Sequence, residues 1–288
     1  MVSRSSTVKR SFTELPYSDR QLVIVVQDEA AKAVRDAEKK VFAKWQRVDW
    51  VRVCQIALLA LFPFGGLVSE ITKETIRAWK RAKTNDIQIL LIGKSEAGEI
   101  SFPPGHPRER VLYIGHPGIP KVYYTTAEFH RITFEHKFSE AINLLMSLGA
   151  TKIRVEHIIG WGKDFSSRLS VPIGDAPGSL NAEIGTNSTS KSQLLYEATL
   201  PGSQAPCIPE CLVWYPHEST WQSIAQGRIK FGLRDFSLTV AYEDDFGVNA
   251  GLKASILKWG LELGGKFEDH VSTVWRIQGE FKPETQMI

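Results

Sequence analysis

Ile56 to Val68 is a run of thirteen residues without one polar side chain, IALLALFPFGGLV, and it limits what the chain around it can become. A helix that spans a bilayer needs about 20 apolar residues, and stretches of about 10 to 14 are more often core, interfacial or re-entrant segments. Pro63 breaks or kinks a helix at that point, and Gly65 and Gly66 follow it. The run therefore reads as a buried helical segment or a membrane-contacting one, not as a simple span.

Its borders carry a second signal. Lys39, Lys40, Lys44, Arg47 and Arg52 precede it, Lys73, Arg77, Lys80, Arg81 and Lys83 follow, and Trp45, Trp50 and Trp79 stand at the same edges. Basic residues and tryptophans beside an apolar segment suit an anionic membrane interface. The candidate membrane or partner contacts are accordingly Trp45, Trp50, Phe62, Phe64, Lys80 and Arg81. A buried helical hairpin whose ends reach solvent shows the same pattern. The charge balance follows the same division: residues 1–84 hold 16 Lys and Arg against 9 Asp and Glu, whereas the remainder holds 19 against 23. Such an excess attracts anionic lipid or nucleic acid, and it equally describes a solvated helical surface.

The periodicities predict an α+β chain. Leu22 to Val26 is a short apolar run. From Asp28 to Val48 the sequence is rich in strong helix formers, with Ala30, Val34, Ala37, Val41 and Trp45 on one face and Lys32, Arg35, Lys39 and Lys40 on the other. Ile71 to Lys83 reads as a second, basic helix. Strand-length segments follow at DIQILLIG and at Val111 to Ile114, the latter between two Gly-His-Pro turns. The long helix of this part runs from residue 127 to 148, with Phe129, Ile132, Phe138, Ile142, Leu145 and Leu148 as its apolar stripe and Gly149 as C-cap. TKIRVEHI is expected as a strand sharing one sheet with DIQILLIG. Residues 174–193 read as a long loop between strands near 165–171 and 194–200, and Thr220 to Gln226 as a short helix. Between Val248 and Leu263 helix and strand periods compete. Five nearby glycines favour a strand, forming a hairpin with Val271 to Phe281 that turns near Glu268 to His270. The expected architecture is an N-terminal helical region, 1–84, followed by an α+β part, 85–288, with a mostly antiparallel sheet and one long packed helix.

Motifs for chemistry are sparse. LLIGKSEAGE resembles the end of a phosphate-binding loop, but the first glycine of such a loop would stand at Gln88. His106, His116, His130 and His136 fall within about thirty residues beside Glu128, Glu135 and Glu140, so His116, His130, His136 and Glu140 are the candidates for acid–base catalysis. Within a helix, His136 and Glu140 share a face while His130 and His136 do not. Cys207, Cys211 and His217 form a C-x3-C-x5-H cluster, a candidate for metal binding that lacks an evident fourth ligand. No cofactor motif is present. Three cysteines fit a reducing compartment, and the N-terminus lacks the apolar stretch of a secretory signal, so the expected location is cytoplasmic or peripheral at a membrane.

These readings rank the functions. The leading expectation is a non-enzymatic effector-like protein that binds itself or another protein and approaches an anionic membrane. The alternatives are an enzyme with a histidine and carboxylate site around residues 106–140, and nucleic-acid binding through the basic N-terminal helices, which ranks below them.

Overall fold

The computed structural model of the chain describes residues 14–42, 70–85, 87–162, 193–203, 205–243 and 246–283. The apolar run 56–68, with Phe62 and Phe64, its border at Trp45 and Trp50, and the strand expected at 165–171 lie outside the described residues. In chain order the helices are α1 (Tyr17–Arg20), α2 (Asp28–Phe42), α3 (Glu70–Thr84), α4 (Lys94–Ala97), α5 (Phe129–Ser147), α6 (Ser219–Phe231) and α7 (Ala250–Trp259). The strands are β1 (Leu22–Val26), β2 (Leu90–Gly93), β3 (Leu112–Gly115), β4 (Tyr123–Thr125), β5 (Ala150–Ile159), β6 (Gln193–Thr199), β7 (Asp235–Tyr242) and β8 (Thr273–Phe281).

The fold is α+β, with helices and two mostly antiparallel sheets. It divides into two compact units. One comprises the chain up to His130 together with Val248–Asp269, and the other comprises Arg131–Gly247 with the segment from His270 onward. Strand pairing crosses the division expected at residue 84, because β1 before it and β2 after it are hydrogen-bonded neighbours.

In the first unit the strand order is β2-β1-β3-β4, with β1 and β2 parallel and the other pairs antiparallel. All five residues of β1 are buried. A strand covered on both faces needs no polar alternation, which is why LVIVV is continuously apolar. Helix α3 packs against β1 and α2 against β2. Buried Trp79 of α3 donates its indole N–H to the carbonyl of Ile89, just before β2, at 2.9 Å.

The helix α7 corrects the strand expected between Val248 and Leu263. Asn249 caps it, its side-chain oxygen accepting from the N–H groups of Gly251 and Leu252 at 3.0 and 3.1 Å. Gly260 closes it in the left-handed conformation at φ 79. The glycines that argued for a strand lie at or beyond the helix ends, apart from Gly251 in its first turn, so they carry little of the cost glycine imposes on a helix interior.

In the second unit the order is β6-β5-β8-β7, antiparallel throughout. Here two expectations fail. β5 does not share a sheet with β2, and β8 forms no hairpin with the segment before it but sits between β5 and β7. Along β7, Phe236, Leu238, Val240 and Tyr242 point inward and alternate with exposed residues. They join Trp275 and Ile277 of β8, Phe134, Phe138 and Leu145 of α5, and Trp221 of α6 in one core. Gly279 permits the close approach of β5 to β8, since a Cβ there would lie 1.8 Å from the Lys152 carbonyl oxygen.

Candidate functional site

The four histidines of the 106–136 stretch are not brought together. His116 is fully buried, and its Nδ1 accepts hydrogen bonds from the backbone N–H groups of Gly118 and Ile119, both at 3.0 Å. It organises the second Gly-His-Pro turn. His106 uses Nδ1 in the same way, 2.6 Å from the Tyr113 hydroxyl, which itself accepts from the Arg108 N–H at 2.7 Å. Burial pushes the Tyr113 phenol up to about 12, so this hydroxyl remains a donor. His130 is buried and donates Nε2–H to the Val248 carbonyl. All three belong to the first unit, whereas His136 belongs to the second.

Around His136 the side chains are engaged with a turn. The indole N–H of Trp214 donates to His136 Nδ1 at 3.0 Å. One helical turn on, buried Glu140 accepts from three successive backbone N–H groups, those of Val213, Trp214 and Tyr215, each at 2.8 Å. These groups open the 3₁₀ turn Tyr215–His217, where a negative charge is favoured. Lys137 adds an ion pair to Glu218 at 2.5 Å. His136 and Glu140 do share a helix face, but that face holds the chain segment 213–218.

The His136 contact gives a pH dependence with a definite sign. Burial holds its pKa below the ordinary histidine value, with Glu140 pulling the other way. Burial, and then Arg108, lower His106 as well. A histidine whose folded pKa is depressed contributes stability that is present above about pH 6.5 and is lost as pH falls through the folded value. The denaturation midpoint should therefore drop between about pH 7.5 and about pH 5.5. His136→Asn, which keeps an acceptor near the indole N–H but cannot titrate, should flatten that dependence. Equal pH slopes for the two proteins would contradict the assignment.

The phosphate-loop resemblance resolves into a different device. Asp28, at the start of α2, accepts from Ser95 N–H at 2.9 Å and from Ser95 Oγ at 2.6 Å, and these bonds hold its carboxyl below the usual range. A Cβ at Gly93 would lie 2.2 Å from Asp28 Oδ1. The glycine thus makes room for a carboxylate of the protein's own. Arg35, expected in solvent, pairs with Glu96 of the same turn.

Cys207, Cys211 and His217 are all exposed, and no group of three or more potential ligands among the described residues is arranged to hold a metal ion. A cavity of about 240 Å³ in the first unit is lined by Val34, Trp79, Ile89 and Leu91 with Arg35, Lys83 and Glu96. It is below the usual size of a small-molecule site, about 300 to 1,000 Å³, and among the described residues no histidine, cysteine or serine lines it. The outward side of the second sheet mixes signs, with Lys152 3.5 Å from Glu197 and Arg154 3.1 Å from Glu156.

The contact candidates Lys80 and Arg81 lie on α3. Its buried side carries Thr72, Ile76, Trp79 and Ala82. Its outer side exposes Arg77, Arg81 and Ile71, the last at 51%. Lys80 is half-buried, and Arg81 Nη1 reaches the Trp259 carbonyl at 3.4 Å. The two acids of this helix are engaged, Glu70 with Lys73 at 2.6 Å and Glu74 with Arg110 at 3.3 Å. What α3 offers outward is Arg77 and Arg81 beside its two exposed, paired acids, with Ile71 at its start. Among the described residues no helix is long and apolar enough to cross a membrane.

In comparisons with known proteins, no family model, no curated protein and no solved structure matches the chain.

Proposed function

We propose that this chain is a non-enzymatic, partner-binding or self-associating protein that approaches an anionic membrane surface through the region between residues 45 and 83. The supporting observation is α3, the described end of that region. Its apolar side is consumed in the first unit, its acids are paired, and Arg77 and Arg81 remain exposed with Lys80 beside them. Basic helices of this kind gain about 1 kcal/mol per Lys or Arg at an anionic surface, so they bind reversibly and in a salt-dependent way. The commitment of His116, His130, His136 and Glu140 to backbone and indole partners is the reason a binding role ranks above catalysis.

The triple variant Arg77→Gln, Lys80→Gln and Arg81→Gln tests this, because glutamine keeps helix propensity and removes three charges. Its partitioning onto phosphatidylserine-containing vesicles should fall roughly 100-fold relative to the unmodified chain. Partitioning that is unchanged, with the variant normally folded, would reject α3 as the contact.

A further inference from the structure

The end of α6 presents an aromatic side chain to solvent on a fixed turn. Phe231, the last residue of the helix, is 82% exposed, and Ile229 is 44% exposed. Gly232 closes the helix at φ 65, its N–H bonded to the Arg228 carbonyl, and the Leu233 N–H bonds to the Gly227 carbonyl. Beneath this turn the guanidinium of buried Arg228 donates to the carbonyls of Leu148, Leu233 and Lys282 at 3.2, 3.3 and 2.7 Å. The turn is therefore tied to the ends of α5 and β8, which fixes the backbone that carries Phe231. Lys230 and Arg234 flank it, both exposed and without an ion pair among the described residues.

We infer that this corner is a second contact for anionic lipid headgroups, in which Phe231 enters the interface while Lys230 and Arg234 pair with phosphates. The inference rests on the membrane reading proposed above and assigns it a separate set of residues. One exposed aromatic on a helix end falls far short of the roughly 800 Å² per partner that a specific protein interface buries. An isolated aromatic with basic neighbours is what the headgroup region accepts. Asp235, which follows Arg234 in the chain, stands opposite Glu280 across β7 and β8. These two acids keep the local charge modest, so the corner does not anchor the protein alone.

The test is flotation of the full chain with vesicles of phosphatidylserine and phosphatidylcholine, alongside light scattering for the oligomeric state and circular dichroism for folding. Phe231→Ser should lower partitioning about tenfold. Lys230→Gln with Arg234→Gln should lower it about 25-fold, about fivefold per charge. Phe231→Trp should bind at least as well as the unmodified chain. If the unmodified chain floats and the Phe231→Ser and Lys230→Gln/Arg234→Gln variants float equally, the corner is not a contact, while the membrane reading stands. If the unmodified chain does not float at all, both fall. If Phe231→Ser dissolves an oligomer and leaves vesicle binding unchanged, the corner joins copies of the chain and the lipid assignment is overturned.

Discussion

Glu140→Ala should destabilise the second unit by about 3 to 5 kcal/mol, a large share of the stability of a domain this size. Three successive N–H groups lose one carboxylate, and the start of the 3₁₀ turn at Tyr215 loses its negative partner. Alanine offers no acceptor, and the shortened side chain leaves a void against the turn. Glutamine is no remedy. Its amide group would place a second donor against N–H donors, so Glu140→Gln should recover at most part of the loss. Urea unfolding followed by tryptophan emission reads both variants, with Trp214 reporting the turn directly. A midpoint unchanged in Glu140→Ala would show that water replaces the carboxylate without cost.

Arg228→Leu should cost a similar amount, about 3 to 5 kcal/mol, for the opposite reason. Here one cation serves three carbonyls that end three different elements, and its guanidinium lies 5.3 Å over the Phe281 ring. Leucine fills much of the volume but leaves all three oxygens without their donor. Arg228→Lys keeps the charge, yet an ammonium on a single stem does not reproduce the planar fork, so it should still lose about 2 kcal/mol. Equal stability of the lysine variant and the unmodified chain would mean that charge alone, not the fork, holds the corner.

Much of the local structure is legible in the sequence. β1, α3 and α5 lie where apolar run, amphipathic period and Gly149 placed them, because each is dictated by residues within one turn or one strand length. The strand expected at α7 fails for an equally local reason: Asn249 and Gly260 mark helix ends, so the nearby glycines are not interior positions. What sequence could not show was partnership. β5 pairs with β8 across more than one hundred residues, and Val248–Asp269 returns to the first unit, with no nearby residue to signal either. The candidate site suffered in the same way. Histidines that are close in sequence proved to be turn and loop fasteners in two units, and the glycine of GKS proved to accommodate Asp28. The Phe231 corner was missed although the alternation of apolar and basic residues in IKFGLR was in plain view, because exposure at a helix end depends on what packs below it.

The proposed attraction of this binding protein to anionic membranes is read by flotation of the intact chain on phosphatidylserine-containing and on pure phosphatidylcholine vesicles across a salt series. Association with the anionic vesicles alone is expected, weakening as ionic strength rises and the Debye length falls below about 10 Å. A folded chain that stays off anionic vesicles even at low salt, or binds both kinds equally at all salt concentrations, would contradict it.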